Sequence, residues 1–157
     1  MKHLRSIDMS DGVRASAPGP ASSSQARADT SRRILIVEDN AFVADQCESA
    51  LAAAGYEVVA VVPTAEAAVE AASAQKPDLV LMDIYLAGPR DGVDAAVDIF
   101  EGRGIRSVFV SALFDRAIED RARRAQPLGW LTKPFSDGKL VATVQSAITD
   151  MAARPGP

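Results

Sequence analysis

The sequence predicts an α/β fold, a doubly wound parallel five-stranded sheet with helices on both faces. Three observations carry this reading. Short runs rich in Val, Ile and Leu recur between residues 34 and 131, as expected of strands buried on both faces. Helix-like stretches of ten or so residues separate the runs, and strand–helix alternation with short connections builds a parallel sheet. Polar residues stand at the carboxyl ends of four of the five runs, where an open α/β sheet binds its ligands.

The elements follow in order. Ile34-Leu35-Ile36-Val37 is an unbroken apolar run and the first strand. A helix is expected over about 41–54, stopped by Gly55. Glu57 to Val62 forms the second strand, ended by Pro63. Thr64 caps the next helix and Glu66 places negative charge in its first turn, where the helix dipole favours it. That helix runs to about Gln75, and Pro77 closes it. Leu79-Val80-Leu81-Met82 is the third strand, ending at Asp83. A loop with Gly88, Pro89 and Gly92 leads to a helix over about 93–101, ended by Gly102 and Gly104. Val108-Phe109-Val110 is the fourth strand, ending at Ser111. A charged helix over about 116–124 precedes Pro127, and Leu128-Gly129-Trp130-Leu131 is the fifth strand. Ser136 caps a last helix over about 137–153.

Residues 32–153 are therefore expected to form one domain, flanked by tails at 1–31 and 154–157. Residues 12–31 are rich in Ala, Ser, Gly and Pro without an apolar periodicity, so the first tail is expected to be disordered. Met9 is an alternative start of the chain. Because the chain ends just after the fifth helix, a stand-alone domain is expected.

Composition excludes several functions. No stretch approaches the roughly 20 apolar residues of a membrane span, and the N-terminus lacks the apolar block of a secretory signal. A cytoplasmic protein is expected. The single cysteine, Cys47, rules out an intramolecular disulfide and a cysteine zinc cluster, and a packing role is assigned to it. Residues 1–33 carry six basic and three acidic side chains, whereas 34–157 carry eleven and eighteen. The acidic domain argues against direct nucleic-acid binding.

Chemistry collects at the strand ends. Glu38 and Asp39 follow the first strand, Asp83 the third, Ser111 the fourth and Lys133 the fifth. Far apart in sequence, they converge only in this fold. Carboxylates gathered closely repel one another, so either their pKa values rise or a cation sits among them. Mg²⁺ suits oxygen ligands and bridges phosphate oxygens. A carboxylate can attack phosphorus to form an acyl phosphate, with Mg²⁺, the Lys133 ammonium and the Ser111 hydroxyl neutralising the transferred group.

The blocks Ile34-Leu35-Ile36-Val37-Glu38-Asp39, Pro77 to Asp83, Ser111-Ala112 and Lys133-Pro134-Phe135 resemble the receiver domains of two-component response regulators over about residues 33–152. The resemblance implies a flavodoxin-like (βα)5 fold with strand order 2-1-3-4-5. It implies Glu38, Asp39 and Asp83 as Mg²⁺ ligands together with the backbone carbonyl of Tyr85. Asp83 looks like the phosphoacceptor, Lys133 like the phosphate-binding lysine before a cis bond to Pro134, and Ser111 and Trp130 like switch residues. The implied partners are a sensor histidine kinase or histidine phosphotransfer protein and a downstream target. The surface of helix four, strand five and helix five, with Arg121, Arg123 and Arg124, is the docking edge such a target would use. A solvated face is the favoured reading of those arginines. A homodimer is compatible with the sequence.

Three positions depart from the family pattern. Ala87 replaces a common proline, the Gly88–Gly92 loop is one residue longer than usual, and Trp130 replaces a Tyr or Phe. Tyr85 and Leu113, each two residues beyond a key residue, are expected to shield the site from water and slow dephosphorylation. His3 is the chain's one histidine and lies in the tail, so the domain cannot act as a phosphohistidine carrier. The domain is read as a signalling switch that takes and loses its own phosphoryl group, and not as a metabolic enzyme. A phosphatase with an aspartyl nucleophile commonly carries a second Asp where Tyr85 stands. Two further roles remain: a phosphate sink or relay member, and a phosphorylation-independent interaction domain.

Overall fold

The computed structural model describes residues 31–154. The expected tails lie outside the described residues except for Ser31 and Arg154. The elements are β1 (Arg33–Val37), α1 (Ala41–Ala53), β2 (Glu57–Val62), α2 (Ala65–Gln75), β3 (Leu79–Asp83), α3 (Gly92–Arg103), β4 (Arg106–Ser111), α4 (Arg116–Ala122), a 3₁₀ turn (Arg123–Ala125), β5 (Gly129–Thr132) and α5 (Asp137–Ala153). The strands form one parallel sheet in the order β2-β1-β3-β4-β5. This is the flavodoxin-like architecture the sequence implies.

Strand alternation divides the core. Successive side chains of a strand point to opposite faces. Ile34, Ile36, Leu79, Leu81, Val108 and Val110 therefore face α1 and α5, where they meet Cys47, Leu51, Leu140 and Val144. Leu35, Val37, Val80, Met82 and Phe109 face α2, α3 and α4. The buried face of α2 is all alanine, Ala65, Ala68 and Ala72, and small side chains let a helix lie close to a sheet. Cys47 is buried in the first of these layers. Burial, helped by the charge of Glu38, pushes its thiol pKa up to about 12, consistent with the packing role.

Side-chain caps start the helices. Asn40, Thr64, Asp91, Asp115 and Ser136 each accept a backbone N–H of the first turn, leaving fewer orphan donors at the helix starts.

Three boundaries differ from the sequence reading. Helix α3 runs through Gly102 to Arg103 and ends on Gly104, whose φ of 72° is left-handed backbone that glycine adopts without a steric penalty. Gly102 is thus a helix-interior residue and not a terminator. Strand β4 begins at Arg106, two residues before its apolar run, because Ser107 is buried and Arg106 reaches the carbonyl of Gln126 with its Nε at 2.8 Å. Strand β5 is shifted by one residue, to Gly129–Thr132, although the Leu128 N–H still donates to the Ser107 carbonyl at 2.8 Å.

The Ser107 hydroxyl is fully buried and has no hydrogen-bond partner among the described residues. An unpaired buried hydroxyl carries a desolvation penalty of about 1–3 kcal/mol. Ser107→Ala is expected to raise the unfolding free energy by about 1 kcal/mol in urea titrations. A loss of stability of that size would reveal a hidden partner for the hydroxyl.

Candidate functional site

Backbone hydrogen bonds hold the loops at the carboxyl edge in register with the sheet. The Glu38 N–H donates to the Val62 carbonyl (3.0 Å), the Ile84 N–H to Val110 (3.1 Å) and the Lys133 N–H to Ser111 (2.9 Å). Each extends the parallel ladder by a residue beyond its strand. The segment after Asp83 is closed by the Gly92 N–H, which donates to the Ile84 carbonyl at 2.7 Å.

Four of the residues singled out in the sequence meet here. Glu38, Asp39 and Asp83 each offer a carboxylate oxygen, all within 4.8 Å of one another. The Lys133 ammonium lies 2.9 Å from Glu38 Oε1 and 3.2 Å from Asp83 Oδ2. Glu38 is buried, Asp39 exposed, and Asp83 only 4% exposed. The Tyr85 N–H donates to Asp83 Oδ1 at 3.3 Å, which sets the Tyr85 backbone beside the carboxylate. The Lys133–Pro134 peptide is cis.

Burial is the largest influence on Asp83, and the neighbouring Glu38 carboxyl adds to it. Together they outweigh Lys133 and raise the pKa to about 7. For Lys133 burial acts downward, but hydrogen bonds and charge from Glu38 and Asp83 prevail and raise its pKa. The site therefore gathers more negative charge than one ammonium offsets. Three hard oxygen donors at this spacing fit a small divalent cation such as Mg²⁺.

Ser111 and Trp130 are placed differently. The buried Ser111 hydroxyl accepts the Leu113 N–H at 3.2 Å and makes no hydrogen bond to Asp83. Trp130 is half-buried, stacked on Phe109 with ring centroids 5.1 Å apart and an interplanar angle of 27°, and edge-on to Phe114. Tyr85 and Leu113 are 52% and 59% exposed.

The arginine run is a solvated face whose charges are ion-paired: the side chains of Arg121, Arg123 and Arg124 are 46%, 79% and 69% exposed. Arg121 forks onto both oxygens of Asp91, each at 3.0 Å, and reaches Asp94 at 3.1 Å. Arg124 pairs with Glu101 at 2.8 Å, and Arg123, in the 3₁₀ turn, with Asp120 of α4 at 3.0 Å. Acids of α3 supply most of these partners, and only the helix packing brings them opposite the arginines. Sequence reasoning also missed Gln46 of α1. Its amide Nε2 donates to the Phe135 carbonyl (3.2 Å) and to Asp137 Oδ1 (3.0 Å). Those partners lie about ninety residues away, and no local pattern marks the contact.

A 2-1-3-4-5 parallel sheet with clustered acids and a lysine at its carboxyl edge is the architecture of a phosphorelay signalling module. The chain belongs to the response regulator receiver domain family, whose model matches residues 34–145. It is similar to the transcriptional regulatory protein PdtaR of Mycobacterium tuberculosis, 38% identical over 118 residues, which cover 75% of this chain and 57% of PdtaR. It is 32% identical over 122 residues to the phyllosphere-induced regulator PhyR of Methylorubrum extorquens, covering 77% of this chain and 45% of PhyR. The chain thus spans about half the length of these relatives. Its fold is also that of the signal receiver domain of a modulated diguanylate cyclase from Desulfovibrio desulfuricans, with a TM-score of 0.72, 32% identity and coverage of 78% of this chain and 98% of that one.

Proposed function

We propose that this receiver is switched by phosphorylation of Asp83. The observation that carries the reading is the contact of Lys133 Nζ with Asp83 Oδ2 at 3.2 Å beside the Glu38–Asp39 pair. An Asp83 oxygen attacks the phosphorus of a donor, a phosphohistidine on a partner kinase or phosphotransfer protein. The new O–P bond forms as the P–N bond of the donor breaks, and the imidazole leaves with its electron pair. Lys133 is within reach of the incoming phosphoryl oxygens, and its positive charge stabilises them. Glu38, Asp39, Asp83 and the Tyr85 carbonyl would hold Mg²⁺, which when bound neutralises charge on the phosphoryl group. The Ser111 hydroxyl is one strand away and already accepts the Leu113 N–H, which leaves its own O–H free to donate to a phosphoryl oxygen.

The phosphorylated state would bias a two-state equilibrium in the loop of Ser111 and the neighbouring α4–β5 surface that bears Trp130. Output passes to a protein partner or to a second copy of the chain. The phosphotransfer machinery of such modules lies in the cytoplasm; no helix among the described residues is long and apolar enough to cross a membrane.

Incubation with acetyl phosphate and Mg²⁺ tests the reading. Wild type should gain one hydroxylamine-sensitive, base-labile phosphoryl group by intact mass, and Trp130 fluorescence should respond. Asp83→Asn should show neither. Labelling that persists in Asp83→Asn, or wild type that stays unlabelled, overturns the assignment.

A further inference from the structure

We propose that Gln46 is a positioning residue for Lys133. This rests on the phosphoacceptor reading above and adds a residue to it. After the Lys133 N–H binds the Ser111 carbonyl, the chain leaves the sheet through Pro134 and Phe135 before Ser136 caps α5. The Gln46 amide grips this connection on its α5 side, through the Phe135 carbonyl and the Asp137 carboxylate. Phe135 is two residues beyond Lys133, and Asp137 is the first residue of α5.

The connection is only partly packed. A cavity of about 320 Å³ lies between α1 and this loop, lined by Val43, Gln46, Ala112, Lys133, Pro134 and Phe135. Phe135 and Val43 pack against the core layer beneath this groove, and the Gln46 amide adds a directional hold that packing alone does not give. Lys133 is held by its own backbone bond to β4, by its head group on Glu38 and Asp83, by the packing of Phe135 two residues on, and by the Gln46 amide. Helix α1 in turn starts from the Asn40 cap, immediately after the Glu38–Asp39 pair. Gln46 thus ties the lysine-bearing loop to the element that follows the acids, and sets the lysine-to-carboxylate distance from outside the site. Misplacing a reacting group by about 1 Å can slow a reaction by about a hundredfold, so loosening one of several tethers should cost about a tenth of that.

A residue that merely joined α1 to α5 would affect stability alone. The distinguishing experiment uses the full chain, saturating Mg²⁺ and acetyl phosphate, a donor too small for partner docking to matter. Gln46→Leu should label about tenfold more slowly than wild type while keeping its circular dichroism spectrum. Gln46→Met, which keeps the length but not the amide, should match it and serves if the leucine variant folds poorly. In a Lys133→Ala background, followed over longer times, Gln46→Leu should add less than about a twofold effect, because the group it positions is gone. Equal slowing in both backgrounds, or no slowing with Lys133 present, overturns the proposal. Wild type without Asp83-dependent labelling would instead bring down the phosphoacceptor reading, and the role of Gln46 with it.

Discussion

Gly92→Ala is expected to lower the unfolding free energy by about 3 kcal/mol or more and to disturb the site. Gly92 opens α3 directly after its Asp91 cap. A Cβ built on it would stand 1.9 Å from the Asp83 carbonyl oxygen, 2.9 Å from the Asp83 carbonyl carbon and 3.0 Å from the Ile84 Cα. All three are backbone atoms of the segment that carries the phosphoacceptor, so no side chain can rotate away. Either α3 moves off the sheet or Asp83 moves, and the 2.7 Å bond from the Gly92 N–H to the Ile84 carbonyl stretches in both cases. The need is for space, since the backbone of Gly92 is not in the left-handed region. Gly102→Ala is the control. It lies in the same helix with nothing within 4 Å of an added Cβ, and should stabilise by about 0.5–1 kcal/mol through helix propensity. Urea titrations of both variants check the pair. A Gly92→Ala protein as stable as wild type would show that α3 does not press on Asp83.

Asp83→Asn is expected to stabilise the magnesium-free protein at pH 8 by about 2–4 kcal/mol, because a pKa of about 7 against 3.8 is a gap of roughly three units at 1.36 kcal/mol each. The sign follows from linkage. The folded state holds the Asp83 proton more tightly than the unfolded chain does, since burial and Glu38 disfavour the carboxylate more than Lys133 favours it. Stability from this group is fully present below the unfolded pKa and is lost as pH rises through about 7. Removing the charge should therefore help most at pH 8, less at pH 6, and hardly at all near pH 4. Glu38, Asp39 and Lys133 remain in the variant and are the charged groups facing the position. Mg²⁺ should narrow the difference at pH 8 by stabilising wild type more than the variant. Denaturation midpoints at the three pH values, with and without Mg²⁺, decide the matter. A variant less stable than wild type at pH 8 without Mg²⁺ would mean that the Lys133 pair outweighs burial.

Most of the site was readable in the chain because its parts sit at strand ends. Glu38, Asp39, Asp83 and Lys133 each follow a short apolar run, and parallel strands deliver their carboxyl ends to one edge of the sheet. The same logic located Ser111, whose strand ends next to that of Asp83. Reading failed where a side chain answers to a neighbour far away in sequence. Gly102 looked like a helix stop because glycine punctuates chains, yet α3 continues through it to Gly104, where the backbone turns left-handed. Arg121 and Arg124 are solvated as expected, but their pairing with Asp91, Asp94 and Glu101 appears only when α3 packs beside them.

The sequence by itself determined the order of strands and helices, the two-sided apolar core and the set of acids and lysine, because hydrophobic periodicity and turn chemistry are local properties. Only the tertiary structure decided that Gly92 must lack a side chain, that burial and the Glu38 carboxyl raise the Asp83 pKa, and that Gln46 grips the loop of Lys133. Those outcomes depend on distances between segments that the chain brings together only on folding, and periodicity carries no record of such distances.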